Sequence, residues 1–302
     1  MSDMLTHWAV FEDCRRLSLP DERLDVFLKG CMDSECELGR LGALSRAGAV
    51  FVPHVLRSEK AVMQRDGRDA VNARKLAYAL GGITHYPADI MMKPLAKKKA
   101  RVDWHAEHVR MKRDGRKTDS PAREVSAYYD THVFRKVYLA GREEPFNRFL
   151  LASNNTDPGK ELEAFVCSLF QRALLSSHTL APDKQNLDEW LDNLLERVQP
   201  LYIDIETFVE VFLSPDPEKM RAYGVEDEFY LESDPAIVLA RRVQNGEDVP
   251  AAERVAALDE SVNTSGYARA VCIGMQRLVE ASAFWTGERA GPPDIRQGGR
   301  RP

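Results

Sequence analysis

Apolar residues in this chain return at intervals of three and four and almost nowhere at intervals of two. In SPAREVSAYYDTHVFRKVYLAG, Ser120 stands at a capping position and Pro121 falls in the first turn. Val125, Tyr128, Tyr129, His132 and Val133 then recur at helical spacing before Gly141. PDERLDVFLKG opens with Pro20 and early acids and stops at Gly30, the start and stop chemistry of a short helix. The same period runs through KELEAFVCSLFQRALLS, NLDEWLDNLLERV, ETFVEVFL and GYARAVCIGMQRLVEASAFW. A chain patterned this way buries its apolar groups along helix faces, so the expected fold class is all-α, a multi-helix bundle. RDGRKTDSP, SPDPEK and NGEDVP, where Gly, Pro and Asp cluster, mark the loops between helices.

With 302 residues, 44% of them apolar, the chain can fill one large core. The expected organisation is a single all-helical domain over residues 1–287 and a flexible tail over 288–302, where GERAGPPDIRQGGRRP offers little to bury. Residues 1–150 hold six of the seven histidines, and 151–287 complete the bundle, with a possible boundary at Asn154–Pro158.

No stretch of 18 apolar residues occurs and no secretory pattern opens the sequence, so the expectation is a cytoplasmic protein without a transmembrane segment. Five scattered cysteines with no CxxC argue against a disulfide framework or a thiolate zinc cluster. The net charge of -5 conceals two regions of opposite sign. Lys93–Lys117 carries ten Lys and Arg against three acids, whereas Asp183–Glu260 carries twenty acids against seven bases. The first could meet phosphates on an anionic surface, with Trp104 stacking or lying at an interface, or could be a solvated helix face. No phosphate-binding Gly-rich loop, GxSxG, HExxH or HD dipeptide appears. Triphosphatases, α/β-hydrolases, zincins and HD phosphohydrolases are thereby disfavoured.

Against that background KLAYALGGITHYPADIMMKP stands out, because His85 and Asp89 are four residues apart and would share one face of an unbroken helix. A neutral imidazole and a carboxylate there suit one cation, and a hydrogen-bonded core pair is the plainer account. Pro87 lies between them, lacks an N–H and crowds the Ile83 carbonyl. A kink or a fresh helix start near Tyr86 is therefore expected, while Gly81 and Gly82 permit close approach of a neighbouring helix.

LGRLGALSRAGAVFVPHV, followed some thirty residues later by LAYALGGITHYPADIMMKP and preceded by an early histidine in LTHWAVFED, resembles the zinc-dependent phospholipase C family, over about the first 140 residues. That family is related to all-α single-strand nucleases. The resemblance implies a helical bundle with zinc ions in a cleft, hydrolysing phosphodiester bonds of phospholipid or nucleic acid through a metal-bound hydroxide. It places His7, His54, His85 and Asp89 as metal ligands for one or two Zn2+ ions, Asp89 also serving catalysis as the bridging carboxylate. Lys93 stands where the family often has a histidine and would contact a substrate phosphate.

The sequence departs from the pattern at two further places. Ser45 is followed by Arg46, Ala47 and Gly48 where a Pro-Asp pair supplies a ligand, and no histidine has a glutamate four residues on. Completing the centre then falls to His105, His108, Glu124 or His132, of which His132 is the further ligand expected. His132 also lies on an apolar stripe that suits a buried, hydrogen-bonded histidine. The expected function is a metal-dependent phosphoric diester hydrolase. The alternative is a degenerate, non-catalytic binding or scaffold protein of the same fold.

Overall fold

The structure, a computed structural model, describes residues 4–45, 48–101, 121–138, 209–260 and 264–296. Helices account for its regular structure, and no strand occurs among the described residues. The chain is all-α there, as its apolar period requires. No helix among these residues is long and apolar enough to cross a membrane.

The chain divides into two compact units, Met1–Thr6 with Lys93–Glu226, and His7–Met92 with Asp227–Pro302. The second contains most of α1 (Met4–Ser18), then α2 (Val26–Ser34), α3 (Cys36–Ala43), α4 (Gly48–Asp66) and most of α5 (Ala73–Lys99). Asp227–Pro302 supplies the rest.

Short-range chemistry sets the helix ends. Asp25 caps α2 by accepting from the N–H groups of Phe27 and Leu28. Lys97, Lys98 and Lys99 fill the last turn of α5, where cations suit the helix dipole. This gives those three lysines a structural role; residues 102–117 of the basic segment lie outside the described residues.

In the first unit, α6 (Pro121–Val137) is buried continuously from Val125 to Phe134, not only along the stripe the periodicity suggested. The segment around α7 (Pro217–Ala222) clasps it: Tyr129 donates to the Tyr223 carbonyl at 3.1 Å, and Arg135 donates to the Phe212 carbonyl at 3.0 Å.

The second unit closes with α8 (Pro235–Gln244), α9 (Ala251–Glu260) and α10 (Gly266–Thr286). In α10, 13 of 21 residues are buried, which makes it a central helix and not a surface one. Ser265 caps its start, and Gly287, at φ +95°, ends it in the left-handed region open to glycine. Beyond it, Ile295 is 3% exposed and Arg289 pairs with Glu280 at 3.2 Å. Pro293 and Ile295 are buried, and Glu288, Ala290, Asp294 and Arg296 around them are exposed.

Two features of α5 position the site. Gly81 and α3's Gly42 let the two backbones touch: a Cβ on Gly42 would lie 2.0 Å from the Tyr78 carbonyl oxygen, and one on Gly81 would lie 1.9 Å from that of Gly39. Secondly, α5 runs unbroken through Pro87, so no fresh helix start falls at Tyr86. The missing hydrogen bond and ring clash cost about 3 kcal/mol, whereas each large apolar side chain buried recovers about 1.5 to 3 kcal/mol. Leu76, Leu80, Ile83 and Met92, all 1% exposed or less, hold the helix together across the proline.

Candidate metal centre

Because α5 is continuous, His85 and Asp89 do share a face, and His7 on α1 meets them. His7 Nε2 lies 3.0 Å from Asp89 Oδ1, and His85 Nε2 lies 3.4 Å from Asp89 Oδ2. The imidazoles stack with centroids 4.6 Å apart and planes inclined by 28°. One ligand atom from each of the three residues falls within 4.8 Å of the others, the only such group of His, Cys, Asp and Glu among the described residues. The histidines are buried and Asp89 is half-buried.

A second contact fixes the chemistry of His85. Its Nδ1 is 2.7 Å from the Ala43 carbonyl oxygen, which can only accept, so Nδ1 carries the proton. Burial and the neighbouring His7 push the His85 pKa below its ordinary value, against the pull of Asp89 and Ala43, and favour the neutral ring. Nε2 is the nitrogen that faces Asp89. Burial raises the Asp89 carboxyl, but hydrogen bonds to the two imidazoles outweigh it and hold the group well below the usual carboxylate range. A cation between them would take the Nε2 lone pair of the neutral ring and a carboxylate oxygen of Asp89 together.

A divalent cation fits this donor set. Two nitrogens and a carboxylate are borderline ligands of the kind zinc takes, and ligands about 2.0 to 2.2 Å from one ion at tetrahedral angles are roughly 3.3 to 3.6 Å apart. The 3.4 Å separation falls within that range and the 3.0 Å one just short of it.

The other expected site residues fare differently. His54 is exposed on α4 and outside the group. Val52, Leu56 and Glu59 form the buried face of α4, and a residue two positions after Val52 is turned roughly 200° from it. Of the four expected ligands the structure brings His7, His85 and Asp89 together and leaves His54 apart from them. His132 is buried on α6 with Nδ1 4.0 Å from Glu226 Oε1, so its surroundings are those of a core histidine near an acid. Glu124 accepts from Lys219 at 2.5 Å and from the Tyr223 hydroxyl at 3.0 Å. Lys93 is half-buried, one turn beyond Asp89 on α5. His105, His108, Trp104, His178 and the Asn154–Pro158 boundary lie outside the described residues.

Sequence reasoning missed the Ala43 carbonyl. A backbone acceptor has no residue-type signature, and the only signal was glycine spacing in LGRLG and LGG, which marks where backbones can meet. Among the described residues no thiol belongs to the group: burial, then Asp13 and Cys272, push Cys14 well above its ordinary value, and Cys31 is raised to about 11.

No family model matches the sequence, and neither a curated protein nor a solved structure matches the chain.

Proposed function

We propose that this chain is a metal-dependent phosphoric diester hydrolase of the zinc-dependent phospholipase C type, with His7, His85 and Asp89 holding one or two Zn2+ ions. The observation that carries the reading is the convergence of His7, His85 and Asp89, whose ligand atoms lie within 4.8 Å of one another. When bound there, a zinc ion would polarise a phosphoryl oxygen and lower the pKa of water. The chain's own residues do the rest: Asp89 spreads its two oxygens to two imidazoles, and Lys93, one turn on, pairs with a phosphate oxygen of the substrate. Burial of the two histidines limits competing water. The substrate class is a phosphodiester of phospholipid or nucleic acid, supported by the sequence resemblance.

A second reading, a non-catalytic binding or scaffold protein of the same fold, is favoured by His54 facing outward and by Lys93 occupying a position at which a further ligand would otherwise stand. One experiment separates them. Purified protein is analysed for metal, then assayed against phosphatidylcholine vesicles and single-stranded DNA with Asp89→Ala as the comparison. Bound zinc with hydrolysis that Asp89→Ala abolishes supports the hydrolase. Bound zinc without turnover supports the scaffold, and protein that takes up no zinc from a buffered supply overturns the metal centre.

A further inference from the structure

The last four carbonyls of any α-helix lack partners within it. In α3 these belong to Arg40, Leu41, Gly42 and Ala43. The chain just beyond the helix satisfies two of them: Leu44 N–H donates to Leu41 at 3.2 Å, and Ser45 N–H donates to Gly42 at 2.9 Å. The other two reach across to the helices that carry the candidate ligands. Trp8, which follows His7 on α1, donates Nε1–H to the Arg40 carbonyl at 2.9 Å. His85 on α5 donates Nδ1–H to the Ala43 carbonyl at 2.7 Å.

We propose that the C-terminal turn of α3 is a positioning element for the metal centre, its two remaining carbonyls setting the placement of His7 and His85 and keeping the proton of His85 on Nδ1. The inference rests on the metal-centre reading above. Three further features hold the element in place. Trp8 is 1% exposed, so its N–H has no competing solvent. Arg40 is clamped through Nε to Glu12 of α1 at 2.5 Å, which ties α3 to α1 a second time. Gly42 packs against the Tyr78 carbonyl with no room for a side chain, and this is what brings Ala43 within reach of α5. Trp8 and Gly42 are therefore positioning residues, acting on the ion only through the histidines.

The test measures two quantities on the full chain. One is the 15N shift pattern of the His85 imidazole in metal-free protein, which reports the tautomer. The other is the affinity for Zn2+ alone, by chelator competition, in wild type, Trp8→Phe, Gly42→Ala and Gly30→Ala. Gly30 is the control, because nothing lies within 4 Å of a Cβ placed there.

The proposal expects an Nδ1–H tautomer in the wild type and zinc affinity lowered roughly 10- to 100-fold by Trp8→Phe, the range typical of outer-shell partners. Gly30→Ala should bind as wild type, and Gly42→Ala, where it folds, should shift His85 toward Nε2–H. An Nε2–H tautomer in the wild type overturns the proposal even where zinc binds, and needs no variant. So does wild-type zinc affinity in Trp8→Phe. A wild type that keeps Nδ1–H yet binds no zinc instead sinks the metal centre, and the positioning role falls with it.

Discussion

Arg40 Nε donates to Glu12 Oε1 at 2.5 Å with the two side chains 4% and 1% exposed, joining α3 to α1 through a charge pair removed from water. Burial alone would raise the Glu12 carboxyl, but Arg40, Arg15 and Arg16 hold it below its ordinary 4.5. Glu12→Gln would leave Arg40 buried with one carboxylate fewer, at an expected cost of about 3 to 5 kcal/mol, read from urea unfolding. The pH dependence has a definite sign. The unfolded chain takes up the Glu12 proton more readily than the folded one, so this contribution is complete above pH 4.5 and is lost as pH falls through the lower folded value. The urea midpoint of Glu12→Gln should accordingly fall less between pH 5 and 3 than that of wild type. Parallel curves would show that the pair carries no such share.

Gly81→Ala and Gly30→Ala should move stability in opposite directions. A Cβ on Gly81 would stand 1.9 Å from the Gly39 carbonyl oxygen, a backbone atom that cannot rotate aside. Overpacking of this kind costs about 1 to 3 kcal/mol or more. Gly30 is exposed inside α2 with open space around it. Alanine there should gain up to about 1 kcal/mol from helix propensity. Thermal midpoints of the two variants check both signs, and a destabilised Gly30→Ala would contradict the packing described.

The fold class was legible because helical periodicity is a property of residue types, and Val125, Tyr129 and Val133 display it however α6 packs. That His85 and Asp89 share a face was legible for a similar reason, since a four-residue spacing on a helix is read from the sequence alone. His54 was not separable from them. Its side chain is as good a ligand, and only the choice of Val52, Leu56 and Glu59 as the buried face turned it outward. Pro87 misled in the other direction, since a local rule costing about 3 kcal/mol was set against burial that only the assembled helices supply. The Ala43 and Arg40 carbonyls were invisible for a deeper reason, every residue having one.

His7→Ala and His54→Ala should therefore separate cleanly in zinc affinity. Removing a ligand nitrogen should cost more than the roughly 10- to 100-fold typical of an outer-shell partner, whereas loss of the outward-facing His54 should leave affinity within about twofold of wild type. Chelator competition measures both. A large loss in His54→Ala would restore the four-ligand arrangement.

Zinc uptake should also release a proton, and the geometry says from where. His7 Nε2 lies 3.0 Å from Asp89 Oδ1, and an ionised carboxylate can only accept, so in the ion-free protein the His7 hydrogen sits on Nε2. That is the nitrogen facing His85 and Asp89, and it must give up its hydrogen to offer a lone pair to a cation. When His7 is neutral, the hydrogen can move to Nδ1 and nothing leaves the protein. When Asp89 holds His7 as imidazolium, one proton per ion must go to solvent. Titration calorimetry at pH 6 in two buffers of different ionisation enthalpy distinguishes these cases. The expected result is a buffer-dependent heat equivalent to about one proton, because the hydrogen that Nε2 gives to Asp89 must leave before that nitrogen can take a cation. A heat independent of buffer, with affinity flat from pH 6 to 8, would mean that His7 enters the centre already neutral and that Asp89 does not hold its proton.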